Sequence, residues 1–99
     1  MSTFREVTAA DQRLIVLQAL EEDPGYSHNE AVLRSVLGNF GHQVSRDGLR
    51  TELAWLQEQG LITLADAGGI QVARLTARGQ DVATGAARVP GVARPRLEG

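Results

Sequence analysis

The sequence contains no cysteine. That excludes disulfides, thiolate metal sites and cysteine nucleophiles together, and it fits a reducing compartment. Lysine is missing as well, because all ten basic residues are arginine. A GC-rich genome produces such usage, and arginine also suits bidentate contacts to phosphate or guanine. No apolar run approaches the ~20 residues that a membrane helix needs, so no membrane partner is expected. The opening stretch MSTFREVTAADQR has no apolar core and carries Glu6 and Asp11, unlike a secretory signal. The expected location is the cytoplasm.

What is present fits one small domain. Ninety-nine residues, 42% of them apolar, allow a single modest core. The net charge is −2. Nucleic-acid binders are usually basic, since phosphate neutralisation supplies much of their affinity. The charge is unevenly spread: residues 1–73 sum to −5 and residues 74–99 to +3.

Thr8 followed by Asp11 resembles a loose capping box, and RLIVLQALEE continues at helical spacing, which predicts a first helix over about 9–22. Apolar residues cover more than half its circumference. That suits a central core helix, or one partly covered by a second copy in a homodimer. Asp23-Pro24-Gly25 stops it. Ser27 and Glu30 fit S-x-x-E, and Val32, Leu33, Val36 and Leu37 follow, predicting a second helix over about 28–38. Phe40, between two glycines, is expected to plug that turn into the core. Ser45 then caps a third helix on which Leu49, Leu53 and Leu56 share a stripe, and Gly60 stops it. LITLA and IQVARLT flank Asp66-Ala67-Gly68-Gly69 and predict a hairpin. Thr76 caps a short last helix, ARGQDVAT.

From Gly85 the chain is aperiodic and rich in Gly, Pro and Arg. The expected division is therefore a domain over 1–84 and a tail or arm over 85–99 that is not a packed element. In that tail Arg88, Arg94 and Arg96 offer phosphate contacts, while Val89, Pro90 and Val92 offer apolar anchors for packing. The expected fold class is mainly α with a small β-hairpin. It has three helices, a β wing, a short C-terminal helix and an extended tail: the winged helix-turn-helix arrangement.

VSRDGLRTELAWLQEQGLI, Val44 to Ile62, resembles the recognition helix of winged helix-turn-helix regulators. LTARGQDVA, Leu75 to Ala83, resembles the L-T-x-x-G segment that follows their wing. More closely, NEAVLRSVLGNFGHQVSRD, TELAWLQEQGL, LTARGQDVATG and VPGVARP are similar to small proteins of Mu-like phages and prophages, often labelled ArsR-type regulators. The resemblance covers nearly all of the chain. It implies the winged-helix fold and, by the label, DNA binding. Metal sensing does not carry over, because the cysteine-bearing helix of the metal sensors is missing and the only histidines are His28 and His42.

Those histidines are isolated at helix starts and turns, where a polar surface role is usual, so no metal, cofactor or enzymatic activity is expected. Asp66-Ala67-Gly68-Gly69 leads into a strand and has no lysine, so it is not a phosphate loop. The candidate DNA-binding residues are Ser45, Arg46, Arg50 and Thr51 on the third helix, with Arg74 and Arg78 behind the wing. Asp47, Glu52 and Glu58 share or border that surface and repel phosphate, as does Asp66 at the hairpin tip. Trp55 lies off the leucine stripe. It either packs against the first helix or the segment around Phe4, or anchors a partner chain. Glu21-Glu22-Asp23 reads as a solvated helix end or as a docking surface for a basic partner.

Two functions are expected, the first as the leading reading and the second as its alternative. One is a phage regulator contacting double-stranded DNA as a homodimer. The other is a module that binds a phage or host protein, in phage gene expression or DNA packaging. The surface distinguishes them: a single patch of Arg46, Arg50, Arg74 and Arg78 favours DNA, and carboxylates interrupting them favour protein.

Overall fold

The structure, a computed structural model, describes residues 3–96. Helix α1 (Phe4–Glu22) starts ahead of the expected position because Thr3, not Thr8, caps it. The Thr3 hydroxyl accepts the Glu6 N–H, and the Glu6 carboxylate accepts the Thr3 N–H. Thr8 instead donates its hydroxyl to the Arg5 carbonyl inside the helix.

A short strand, β1 (Ser27–Asn29), follows. It was not anticipated, since three residues carry no readable alternation. Ser27 is therefore a strand residue, and Asn29 caps α2 (Glu30–Asn39) by accepting the Val32 N–H. Phe40 does not plug the turn. Its N–H is used to close α2 on the Val36 and Leu37 carbonyls, and its ring is 66% exposed. His42 reaches back to α1 in its place, with Nε2 2.7 Å from the Asp11 carboxylate.

Helix α3 (Arg46–Glu58) is capped by Ser45, whose hydroxyl accepts the Gly48 N–H. Paired bonds close its other end, from Gly60 N–H to the Gln57 carbonyl and from Leu61 N–H to the Leu56 carbonyl. Strands β2 (Ile62–Ala67) and β3 (Ile70–Leu75) form the expected hairpin. Gly68 and Gly69 have φ of 62° and 84°, the conformation a two-residue turn demands. The sheet is antiparallel with order β1-β3-β2. Thr76 caps the last helix, α4 (Ala77–Thr84), by accepting the Gly79 N–H.

The four helices and the three-stranded sheet enclose one core. Leu17 and Leu20 of α1, Leu33 of α2, Leu53 and Leu56 of α3 and Leu61 before β2 are all fully buried in it. Gly79 shows why the L-T-x-x-G segment needs its glycine. A Cβ there would collide with the Leu61 carbonyl and the Leu75 side chain, so only glycine lets α4 lie this close to the start of β2.

The segment after α4 differs from the expected unpacked tail. Val89 and Val92 are buried, and the Ala93 N–H donates to the Ala10 carbonyl of α1. Two valines in a Gly/Pro-rich stretch give no helical or strand period, yet both join the core, and the Ala93 bond ties the stretch to α1. Among the described residues, no helix is long and apolar enough to cross a membrane.

Candidate interaction surface

The residues singled out on α3 divide by face. Leu49, Leu53 and Leu56 turn inward and lock the helix in the core. Asp47, Thr51, Ala54 and Glu58, at i, i+4, i+7 and i+11, form one exposed stripe. The Thr51 hydroxyl is turned back onto the Asp47 carbonyl. Ser45, also exposed, uses its hydroxyl as the cap.

Arg46 and Arg50 lie on the flank facing the hairpin. Arg50 donates from Nε to Glu30 Oε1 at 2.8 Å and from Nη2 to Glu30 Oε2 at 2.7 Å, a bidentate pair. Its Nη2 also donates to the Gly69 carbonyl at the hairpin turn, 2.8 Å away. Arg46 donates to the same carbonyl at 2.7 Å and to Glu30 Oε1 at 3.4 Å. Glu30 is 5% exposed, and the Gln71 N–H of β3 donates to its Oε2 at 2.6 Å. One carboxylate thus ties the start of α2, the start of α3 and the hairpin together. The Arg50 and Gln71 hydrogen bonds lower the Glu30 pKa from its ordinary 4.5 to about 2, overcoming the opposing effect of burial. The Arg50 pKa is raised in turn, chiefly by its bond to Glu30.

The other candidate cations come from β3, α4 and the C-terminal segment. Arg74 projects from β3 on the sheet face away from the core, opposite Ser27 and Thr63. Arg78 donates to the Gln59 carbonyl at 2.6 Å, capping the C-terminal end of α3. Arg46 and Arg78 therefore sit at opposite ends of a helix roughly 20 Å long. Arg88, Arg94 and Arg96 are exposed on the packed C-terminal segment. Arg46 and Arg78 are thus not one patch, and Asp47 and Glu58 stand at the two ends of the exposed stripe of α3.

Trp55 is half-buried within its own chain. The Arg13 guanidinium lies 3.9 Å above its ring, held there by Glu52 at 2.6 Å and by the Gly91 carbonyl at 2.9 Å. Gly91 packs so close that a Cβ there would come within 2.7 Å of the indole. Of the two readings of Trp55, the structure matches packing against α1, with the C-terminal segment in place of the region around Phe4.

The Glu30 network had no signal in the sequence. Its partners are 16, 20 and 41 residues away, and S-x-x-E gave Glu30 a local role. His42 paired with Asp11 was likewise hidden by separation. Among the described residues, no group of three or more His, Asp or Glu is arranged to hold a metal ion.

A four-helix domain with a three-stranded antiparallel sheet, bearing a clamped hairpin beside an exposed helix, is the class defined by this geometry. No family model matches the chain. It is 46% identical over 93 residues to "Uncharacterized protein gp26" of Escherichia phage Mu, a match covering 94% of this chain and 96% of that protein. It is also 46% identical over 77 residues to an "Uncharacterized protein" of Haemophilus influenzae (strain ATCC 51907 / DSM 11121 / KW20 / Rd), covering 77% and 74% of the two chains. The chain belongs to the family of phage Mu gp26.

Proposed function

We propose that this protein is a winged-helix module of Mu-like phages that acts by binding another protein through the outer stripe of α3. The order α1, β1, α2, α3, then a hairpin supports the winged-helix reading, with α3 in the recognition position and β2–β3 as the wing. The observation that carries the choice of partner is the engagement of Arg46 and Arg50 by Glu30 and Gly69. A groove-reading arginine needs its guanidinium edge for a guanine or a phosphate. Here that edge holds the wing in place. Arg46 stays partly exposed beside this clamp, and α3 also presents to solvent Asp47, Thr51, Ala54 and Glu58, a narrow stripe with a carboxylate at each end. Such a stripe repels phosphate and accommodates a partner helix or loop at the small Ala54.

A second reading, a DNA-binding regulator, is favoured by Arg74, Arg88, Arg94 and Arg96, all exposed. Both are tested by one pair of experiments. Binding to phage and host DNA is measured at low and high salt, and a photoreactive residue at position 54 is used for cross-linking in cells carrying the phage. The protein-binding reading expects weak, sequence-indifferent DNA binding that disappears with salt. It also expects a discrete cross-linked phage or host protein, lost when Ala54 bears the label in an Asp47→Arg, Glu58→Arg background. Salt-resistant preference for one phage DNA segment, weakened by Thr51→Ala, would overturn it.

A further inference from the structure

The first turn of α1, Phe4 to Val7, stands out from the body of the molecule. Phe4 is 85% exposed and Val7 55% exposed, yet the helix there is fully formed and closed by a reciprocal cap. On a helical wheel Phe4, Val7, Asp11, Gln18, Ala19 and Glu22 fall on one stripe, on which Ile15 is buried by its own chain. The far end of that stripe borders a groove of about 310 Å³ between α1 and α2. Ile15, Ala19, Val36 and Phe40 give it apolar walls beside the polar Gln18 and His28, and Glu22 and Asp23 also line it. One chain thus carries an apolar knob at one end of α1 and an apolar groove at the other.

The charges are complementary in the same sense. Glu21, Glu22 and Asp23 crowd the C-terminal end of α1, where the helix dipole is already negative, and the last turn holds no basic residue. The exposed Arg5 adjoins the knob. From these observations we infer that the protein pairs with a second copy of itself through antiparallel α1 helices. A two-fold axis near the middle of α1 brings Phe4 and Val7 of each copy onto the Ala19–Phe40 groove of the other, and Arg5 onto Glu22. Both contacts then form twice, as an isologous interface requires. Asp11, near the axis, already has His42 against it. The inference does not depend on what α3 binds.

The stripe is ~28 Å long and one helix wide, smaller than a standard interface, so association in the range of about 1–100 μM is expected. Sedimentation velocity over a concentration series measures it. Phe4→Ala should weaken dimerisation about tenfold or more without altering the melt of the dilute monomer. Arg5→Glu and Glu22→Arg should each weaken it, and the double variant should restore it, because the two-fold symmetry re-forms both ion pairs. The cysteine-free background allows a check of direction: mixed Val7→Cys and Ala19→Cys chains should cross-link across the interface. A protein that stays monomeric at ~1 mM, far above that range, overturns the inference. So does a dimer indifferent to Phe4→Ala, a double variant no better than the singles, or a dimer that gives no 7–19 cross-link.

Discussion

Glu30 is the residue on which the two functional readings divide. Read locally it belongs to a capping box; in the fold it is a buried anion with three donors around it. Hydrogen bonds from Arg50 and the Gln71 N–H lower its pKa to about 2, from 4.5. The unfolded chain therefore takes up this proton first as the pH falls. The stability that Glu30 contributes is complete above about pH 4.5 and is lost progressively toward pH 2. Glu30→Gln removes this dependence. Thermal melts between pH 7 and pH 2 should show a shallower acid decline in the variant than in the wild type. At neutral pH the variant should melt lower, since Arg50 loses its ionic partner. Equal acid limbs for the two proteins would mean that the carboxylate does not hold the hairpin. The remaining site residues follow the same division. The capping role of Ser45 was legible, because a cap is a local bond; the tethering of Arg46 and Arg50 was not, because it is made across the fold.

Elements were readable where a local period or a terminal signal specified them. The leucines of α3, the glycines of the β2–β3 turn and the Thr76 cap all act within a few residues, and each appears as the sequence predicts. β1 was missed because its pairing to β3 is made at long range and it is too short to alternate. Phe40 was misplaced because an aromatic between glycines does not reveal which way its turn faces. Gly79 illustrates a constraint that a motif records and packing explains. Its missing side chain is what allows α4 to close over the Leu61 carbonyl. Gly79→Ala should cost about 1–3 kcal/mol by overpacking, despite the better intrinsic helix propensity of alanine. Denaturant unfolding measures this directly. A variant as stable as the wild type would show that α4 shifts outward freely, and that the glycine has some other purpose.

At the scale of the whole molecule, the C-terminal segment closes over a four-helix body. Val89 and Val92 are buried, Gly91 lies on Trp55, and two backbone carbonyls, of Ala10 and Gly91, are used to hold the segment on α1. A phosphate-tracking arm would be detached from the body; over residues 85–96 this chain is seated. Truncation after Gly85 should therefore act on stability before it acts on any ligand. Burial of two valines contributes ~2–4 kcal/mol after allowance for residual structure in the unfolded chain. A domain of this size has only about 5–15 kcal/mol in total. The truncated protein should remain folded at room temperature but melt well below the full chain. Trp55, the single tryptophan, reports the same event optically. With Gly91 gone and Arg13 released from its carbonyl, one face of the indole meets water, and its emission should move to longer wavelength in the native protein. Unchanged melting and unchanged emission on truncation would return residues 86–99 to the role of an arm.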